Sequence, residues 1–384
     1  MQTSRRQLLQ VGLSAGAAVA LGNAVPGLAS PPAKPAVAND NVLVVVQLSG
    51  GNDGLNTVIP FRSDEYRRSR PHIAITGGHH RLTEDLALHP SMRAFKDLFD
   101  RGQLAIVNGC GYPEPNRSHF RSLEIWHTAR PTGTDAQGWL GHYVNHCVPH
   151  TSTRKVAAVN VGAQLPLALV AGQTSVPSVQ SPADLGLGDA TAAAPSLGSL
   201  THETLNAFVS RRQLDQLRSY RADAVYPRGL GQQLQLVARM IAANMGTRVF
   251  YCQLGGFDTH ANQLPQHHGQ LAQLSESIGA FYRDLSAKGY AGKVTTMCFS
   301  EFGRRLAQNN SNGTDHGAAG PMFVIGPKVK GGLYGAYPSL TNLDLGDLRY
   351  TTDFRRVYAT VLENWLGAKS PVVLKNRFEP MAFL

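Results

Sequence analysis

Four short polar clusters of the sequence combine glycine with carboxylate and imidazole side chains: residues 49–54 (SGGNDG), 255–260 (GGFDTH), 300–305 (SEFGRR) and 312–317 (NGTDHG). Glycine lets the backbone turn sharply and approach a ligand, while Asp, Glu and His supply oxygen and nitrogen ligands for metal ions. Each cluster alone is also typical of an ordinary turn. Together they predict a site for one or two divalent ions, of zinc, manganese or calcium. The candidate ligands are Asp53, Asp258, His260, Glu301, Asp315 and His316.

A serine suited to nucleophilic chemistry comes just before a predicted helix at residues 119–128. At a helix N-terminus, exposed N–H groups and the positive end of the helix dipole favour a bound anion and ease formation of an alkoxide beside a metal. Ser118 is therefore a candidate nucleophile, and an ordinary N-cap is the alternative. His119 is a candidate metal ligand or proton shuttle, and Arg117 is a candidate to bind a phosphate or sulfate oxygen.

Short runs rich in valine and isoleucine alternate with helical patterns along the chain. The predicted strands are residues 41–48, 103–108, 156–161, 248–254, 294–299 and 322–325. The predicted helices are residues 91–99, 119–128, 138–147, 229–244, 271–287 and 354–366. This alternation favours an α/β fold with a mostly parallel sheet that helices cover on both faces. Ligands bind such sheets beyond the carboxyl ends of the strands, where the polar clusters are expected to meet.

Residues 1–38 resemble a twin-arginine export signal. An arginine pair at residues 5–6 precedes an uncharged run of mostly small residues at 11–33, and residues 36–38 (AVA) offer a cleavage site. The alternative is a membrane anchor. We expect the twin-arginine machinery to export the protein to a periplasmic or extracellular location, with no stable membrane span after signal removal.

The composition indicates a globular protein, with 42% hydrophobic and 16% charged residues. Residues 39–384 are expected to form a single domain with an irregular insertion at about 172–199, interpreted as a substrate lid or as a plain surface loop. The net charge of +10 comes mainly from dispersed arginine, so no nucleic-acid partner is expected. The 4 cysteines allow three disulfide pairings, but buried free thiols are favoured for Cys252 and Cys298.

Several motifs together resemble the family called domain of unknown function 1501. They are residues 43–60, 88–90, 117–120, 255–263, 300–305, 313–317 and 353–367. That family is similar in layout to the alkaline phosphatase superfamily of phosphatases, sulfatases and phosphomutases, which implies a three-layer α/β/α sandwich. The resemblance implies that Asp53 ligates one metal and faces Ser118 as the nucleophile. It also implies that Asp258, His260 and His316 ligate the other metal.

The sequence departs from the superfamily pattern at two points. Residues 301–303 (EFG) stand where those enzymes usually have Asp-His-Gly, and phenylalanine cannot bind a metal although glutamate can. Asp258 and His260 are also closer in sequence than the superfamily's Asp-x-x-x-His, which leaves His267 or His268 as substitutes. These departures leave room for a one-metal enzyme, or for a site that binds without turnover.

The metal site and the resemblance together imply an exported metal-dependent hydrolase of phosphate or sulfate esters, acting on a small anionic ester. Metal ions would bind an oxyanion oxygen and lower the pKa of Ser118 or of a water. Arg117, Arg304 and Asn52 are the candidates to neutralise charge on the transferred group. The alternative is a non-catalytic periplasmic binding or assembly protein that keeps the fold and at most one metal. A basic binder of nucleic acid or polysaccharide surfaces is a third hypothesis, disfavoured by the dispersed arginines.

Overall fold

Strands and helices alternate through residues 39–147, 156–185 and 210–384, the part of the chain that the computed structural model describes. The strands are β1 (Val42–Leu48), β2 (Val58–Ile59), β3 (His80–Arg81), β4 (Ala87–Leu88), β5 (Leu104–Gly111), β6 (Ala158–Val161), β7 (Val249–Leu254), β8 (Val294–Phe299), β9 (Gly320–Ile325), β10 (Gly332–Tyr334), β11 (Leu343–Asp344), β12 (Asp347–Leu348) and β13 (Thr352–Asp353). The α-helices are α1 (Gly54–Thr57), α2 (Asp64–Ser69), α3 (Arg93–Asp100), α4 (His119–Thr128), α5 (Trp139–Cys147), α6 (Arg211–Ser219), α7 (Leu230–Ala242), α8 (Gln263–Ala287), α9 (Phe354–Thr360) and α10 (Ser370–Leu374). Turns of 3₁₀-helix lie at Leu167–Leu169, Pro182–Leu185 and Ala291–Lys293, and a π-helical turn lies at Val361–Trp365.

The main sheet has 8 strands in the order β10, β5, β9, β8, β1, β7, β6, and β13 pairs with the end of β5. Among its described strands only β9 runs antiparallel to its neighbours, which are β5 and β8. The loops after β1, β7 and β8 therefore leave the sheet at the edge where the loop before β9 enters it. This direction of β9 brings the fourth polar cluster, residues 312–317, to the same edge as the other three.

The central strand β1 is buried along its whole length. Val44 and Val46 pack into one hydrophobic core, whereas Leu43 and Val45 pack into a second core on the other face. The first core is closed by α3, α6, α7 and α8, and the second by α4, α5, α9 and α10. Each large apolar side chain buried this way contributes about 1.5–3 kcal/mol to folding, which explains why a strand with two apolar faces needs two helical layers. The expected three-layer α/β/α sandwich with a mostly parallel central sheet is thus confirmed.

Helix α4 is fixed to the sheet edge by an aromatic stack. The buried ring of Trp126 stacks on Phe299, the last residue of β8, at 5.3 Å between centroids. On its other side it stacks on Phe354, the first residue of α9, at 4.1 Å. This stack fixes the C-terminal half of α4 against the end of β8, the strand that leads into the loop with Glu301.

All six predicted strands are present, and two predicted helices differ from their expected bounds by more than two residues. Helix α8 begins at Gln263 rather than at residue 271. The first two turns were not predicted, because they are rich in Gln and His and show no apolar period. Pro265 is tolerated there because a proline in the first turn removes no intrahelical hydrogen bond. The last predicted helix is α-helical only to Thr360, and a π-helical turn continues it to Trp365.

Some expectations fall on residues that the structure does not describe. The expected signal at residues 1–38 lies outside them, and so do residues 186–199 of the expected insertion, so the domain division stays a prediction. Within the described ranges, no helix is long and apolar enough to cross a bilayer. The cysteines are unpaired, and Cys252 and Cys298 are buried on β7 and β8, as expected for free thiols.

Candidate metal centre

Four side chains converge beyond the sheet edge: His119 at the start of α4, Asp258 and His260 after β7, and His316 before β9. Oδ1 of Asp258 lies 3.0 Å from Nε2 of His260 and 3.1 Å from Nε2 of His316. Oδ2 of Asp258 lies 3.5 Å from Nε2 of His119. The ligand atoms of His119, Asp258 and His316 all lie within 4.8 Å of one another, a spacing that could hold one metal ion. We call His119, Asp258, His260 and His316 the metal-ligand cluster.

Each histidine of the metal-ligand cluster is oriented from behind by an oxygen at its Nδ1 atom. Nδ1 of His119 lies 2.9 Å from Oε1 of Glu301, and Nδ1 of His260 lies 3.5 Å from Oδ1 of Asp315. Nδ1 of His316 lies 2.8 Å from the backbone carbonyl oxygen of Arg117. Metal-ligating histidines typically donate their second ring N–H to a carboxylate or carbonyl in this way, which fixes the ring and directs the lone pair of Nε2 toward the metal.

The two glycines of the first polar cluster allow its loop to approach the metal-ligand cluster closely. A Cβ atom on Gly50 would lie 2.3 Å from the backbone nitrogen of Asp258, and Gly50 has a φ of +119°. A Cβ atom on Gly51 would lie 2.3 Å from the ring of Phe302. Because any side chain at either position collides, the glycine pair is a packing requirement of the site.

The donor set fits a bound cation. Nε2 of His119 is buried and has no hydrogen-bond partner among the described residues, although it faces the Asp258 carboxylate. An unpartnered buried ring nitrogen costs about 1–3 kcal/mol unless something occupies its lone pair. The ring of Phe302 packs against His119 at 4.9 Å and His316 at 4.6 Å between centroids, so an apolar wall shields the imidazoles on one side.

Arg304, expected to bind substrate, has a different environment in the structure. Its guanidinium is buried, and each of its nitrogens donates to the protein. The acceptors are the carbonyl oxygens of Gly50, Gly51, Phe257 and Thr314 and, at 2.7 Å, Oδ1 of Asp258. No donor nitrogen is left for a substrate, because Arg304 holds the three loops of the site together and balances the charge of Asp258.

The electrostatics favour the metal-binding protonation states of Asp258 and His316, whereas the shift at His119 favours its protonated form. Partial burial raises the pKa of Asp258, but the hydrogen bond from Arg304 and the neighbouring His316 ring outweigh it and lower the pKa to about 2. Burial lowers the pKa of His316 below its ordinary value. The hydrogen bond with Glu301 raises the pKa of His119. At neutral pH Asp258 is therefore a carboxylate and His316 a neutral imidazole, the forms that bind metal ions.

Asp53, an expected ligand, is outside the metal-ligand cluster. It is the N-cap of α1, and its Oδ1 accepts a hydrogen bond from the backbone of Leu55. Its Oδ2 lies 2.5 Å from Nη1 of Arg70 and also accepts a hydrogen bond from Gln263. Burial raises the pKa of Asp53, but the Arg70 guanidinium outweighs it and holds the pKa below its ordinary value. Both oxygens are thus bound to protein groups, and a buried guanidinium lies where the sequence analysis expected a metal.

Asn52, Glu301 and Asp315 also differ from their expected roles. Asn52 is buried, and its Oδ1 accepts hydrogen bonds from Thr57 and from His267, so it is not exposed to a substrate. Glu301 is buried, accepts a hydrogen bond from the backbone of Gly50, and contacts a histidine of the cluster rather than lying among the ligand atoms. Asp315 is in the same position behind His260. Of the two expected alternative ligands, His267 contacts Asn52 through its Nε2 atom, and His268 is exposed on α8 outside the metal-ligand cluster.

Arg117 and Ser118 directly precede His119 of the metal-ligand cluster in the chain. Ser118 is the N-cap residue of α4 by its backbone, but its exposed side chain makes no capping hydrogen bond. Arg117 donates two hydrogen bonds to Oδ2 of Asp347, at 3.0 and 2.7 Å, and keeps about a third of its side chain exposed. The hydroxyl of Ser118 is therefore available for chemistry at a helix N-terminus.

Two residues that contact Asp53, Arg70 and Gln263, were not predicted from the sequence. Arg70 follows the exposed Arg67 and Arg68, and no pattern in the sequence separates it from them. Gln263, which donates to Asp53 and accepts from Thr314, closes the motif at residues 255–263. Its place in that motif was the available signal.

Comparisons with known proteins give one family and several similar folds. The family described as "Protein of unknown function (DUF1501)" matches residues 40–365. No curated protein sequence gave a significant match.

Similar solved structures include an alkaline phosphatase superfamily protein from Vibrio parahaemolyticus, with 8% identity, a TM-score of 0.41 and coverage of 88% of this chain and 70% of that one. Another is the alkaline phosphatase of the Antarctic bacterium TAB5, with 11% identity, a TM-score of 0.38 and coverage of 77% and 94%. A third is lipooligosaccharide phosphoethanolamine transferase A from Neisseria meningitidis, with 10% identity, a TM-score of 0.42 and coverage of 90% and 60%. Because the family match spans most of the sequence, the chain belongs to the DUF1501 family, as its motifs predicted.

Proposed function

We propose that the protein is an exported metal-dependent hydrolase of phosphate or sulfate esters with a single-metal site. The observation that carries the proposal is the convergence of three Nε2 atoms, from His119, His260 and His316, on the carboxylate of Asp258. Each ring is fixed through its Nδ1 atom, which supports a cation among the Nε2 atoms. Three nitrogens and one carboxylate suit zinc or manganese better than calcium, which prefers oxygen ligands.

A bound divalent ion would supply a Lewis acid for an oxyanion oxygen and lower the pKa of a nearby alcohol or water. Ser118 is our candidate nucleophile, because its hydroxyl is exposed, makes no capping bond and sits next to His119 in the chain. The first turn of α4 holds no acidic residue, so its N–H groups and dipole favour an anionic ester. Arg117 is the candidate to contact an ester oxygen beside Ser118.

A non-catalytic periplasmic binding or assembly protein with one metal is the second candidate. The observation that favours it is that Asp53 and Arg304, two polar side chains expected to serve the site, are hydrogen-bonded to other protein groups. Asp53 is bound to Arg70, and the Arg304 guanidinium has no free nitrogen. Such a site holds a metal but offers few further groups to a reacting ester.

The experiment combines metal content with turnover. Purified protein is stripped with a chelator, reconstituted with zinc, manganese or calcium, and tested on aryl phosphates and aryl sulfates. We expect about one zinc or manganese per chain and metal-dependent hydrolysis. Ser118→Ala is expected to keep the metal and lose at least about a thousandfold in kcat. His268→Gln, at an exposed position of α8, is the control and is expected to behave like the wild type.

The outcomes separate the two candidates. One metal per chain with no turnover on either ester class would favour the binding protein. No bound metal would contradict both candidates. Hydrolysis that survives in Ser118→Ala would move the nucleophile from the serine to a water.

A further inference from the structure

A small hairpin next to the site carries a buried carboxylate that the metal-ligand cluster does not contain. Strands β11 and β12 pair through a tight turn in which Leu345 and Gly346 both have positive φ, at 50° and 79°. This geometry fits a two-residue hairpin turn. Leu348 anchors the hairpin in a small apolar core, and its neighbour Asp347 is only 1% exposed.

Asp347 binds two separate segments of the chain with its two oxygens. Oδ2 accepts two hydrogen bonds from the guanidinium of Arg117. Oδ1 accepts hydrogen bonds from the backbone nitrogens of Ala318, at 3.3 Å, and Leu348, at 2.7 Å. A buried carboxylate is costly unless it is paired and hydrogen-bonded, and here four donors satisfy it.

These two segments are the ones that carry two of the candidate metal ligands. Arg117 comes two residues before His119, and Ala318 comes two residues after His316. The carbonyl oxygen of Arg117 also lies 2.8 Å from Nδ1 of His316, which closes a ring of contacts around Asp347. The side chain of Asp347, from a third part of the chain, thus joins the two segments that carry His119 and His316.

We infer that Asp347 is a positioning residue of the metal centre, which sets the spacing of His119 and His316 through Arg117 and Ala318. The inference rests on the metal site of the proposed function and adds the hairpin at residues 343–348 to it. Metal ligands must keep their positions within a few tenths of an ångström, and loss of a residue that orients them typically costs 10–100-fold in metal affinity.

The test measures zinc affinity of the metal-free protein by competition with a chromophoric chelator. Asp347→Asn keeps the size of the side chain and an acceptor for Ala318, but it turns an amide donor or a neutral oxygen toward Arg117. Arg117→Ala removes the other partner and leaves the backbone carbonyl that faces His316. We expect each variant to bind zinc about 10–100-fold more weakly. The double variant is expected to lose little more, because both changes break one contact.

The control is another buried carboxylate. Asp284 on α8 accepts hydrogen bonds from the hydroxyls of Tyr220 and Tyr226 and from the backbone of Asp223, far from these loops in the topology. Asp284→Asn is expected to lower the midpoint of urea unfolding and to keep the zinc affinity. A purely structural role of Asp347 would make its variant behave in the same way.

The outcomes are distinguishable from those of the proposed function. Unchanged zinc affinity in Asp347→Asn and Arg117→Ala would overturn the inference, and so would a wild type that binds no zinc. A wild type that binds zinc but hydrolyses no ester would contradict the proposed hydrolase alone. In that case a weakened affinity in the two variants still supports the positioning role.

Discussion

The Nε2 atoms of His260 and His316 lie 2.9 Å apart, and both face the same oxygen of Asp258. A neutral imidazole that donates from Nδ1 presents a lone pair at Nε2. Two such lone pairs and a carboxylate oxygen repel one another unless a cation lies among them. Arg304 provides part of the compensation, with Nη1 at 3.4 Å from Nε2 of His260. A divalent ion would provide the rest, so we expect the stability of this edge of the sheet to rise when a metal binds.

The first prediction is that zinc stabilises the metal-free protein and that His316→Ala abolishes the effect. A ligand that binds only the folded state adds about 2.7 kcal/mol at a free concentration of about 100 times its Kd. We expect a rise in Tm on zinc addition for the wild type and for His268→Gln, and at most a small rise for His316→Ala. Differential scanning calorimetry checks this. An equal rise in His316→Ala would show that zinc binds elsewhere.

The second prediction concerns the carboxylate behind His119. Glu301→Gln keeps an oxygen that can accept from the backbone of Gly50, but it removes the charge that the His119 ring faces. Because the hydrogen bond with Glu301 raises the pKa of His119, we expect that pKa to fall toward its ordinary value. We also expect zinc to bind about 10–100-fold more weakly. NMR titration of the ring in metal-free protein measures the first effect, and chelator competition measures the second.

A His119 titration that does not change in Glu301→Gln would mean that Glu301 does not orient this ring. Asp315→Asn is the matched comparison, because Asp315 faces His260 from an exposed position. We expect a smaller loss of zinc affinity there, since water screens an exposed carboxylate.

The third prediction separates a structural from a metal-binding role of Asp53. Asp53→Asn leaves the buried Arg70 guanidinium without its anion, and breaking a buried pair typically costs about 3–5 kcal/mol. We expect a loss of that order in urea unfolding, with unchanged zinc stoichiometry. Asp97→Asn, in the exposed pair with Arg93, is the control and should cost less than about 1 kcal/mol. Zinc content that falls in Asp53→Asn would restore Asp53 as a ligand.

The sequence predicted the central architecture because the strands are apolar enough to exclude other interpretations. β1 is buried on both faces, and its sequence is apolar at nearly every position. The two-residue strands escaped prediction, because two residues show no period; they are β2, β3, β4, β11, β12 and β13. The antiparallel direction of β9 was also not predicted, since the sequence of a strand does not show whether it pairs parallel or antiparallel with its neighbours.

Within the site, the sequence predicted the residue types better than their roles. Asp258, His260 and His316 of the polar clusters lie together in the structure, and His119, which was predicted separately as a ligand or proton shuttle, lies beside them. The tertiary structure decides whether a carboxylate binds the metal or contacts the Nδ1 atom of a ligating histidine. The role of Glu301 could therefore not be predicted from its motif. The partner of Asp53 is Arg70, 17 positions away in an arginine-rich helix end, where three neighbouring arginines have equivalent sequence contexts.

The fourth prediction concerns acid stability and rests on three buried histidines outside the metal-ligand cluster. Burial lowers the pKa of His89 to about 3, and of His127 and His267 to about 4, from an ordinary value of 6.5. These rings stay neutral in the folded protein at about pH 5, whereas the unfolded chain binds protons there. The contribution of these rings to the free energy of unfolding is therefore complete above about pH 6.5. It falls as the pH drops toward about 4, by up to about 1.4 kcal/mol per pH unit for each ring.

Urea unfolding of chelator-treated protein at several pH values between about 7 and 5 measures this slope without a contribution from bound metal. His127→Gln removes one titrating ring and keeps a donor for Oε1 of Gln47, which Nε2 of His127 contacts at 2.8 Å. We expect the variant to lose less stability than the wild type over this pH interval, whatever its stability at about pH 7. Since the unfolded state of the variant lacks one proton-binding group, identical slopes would mean that His127 is already protonated in the fold, against the effect of its burial.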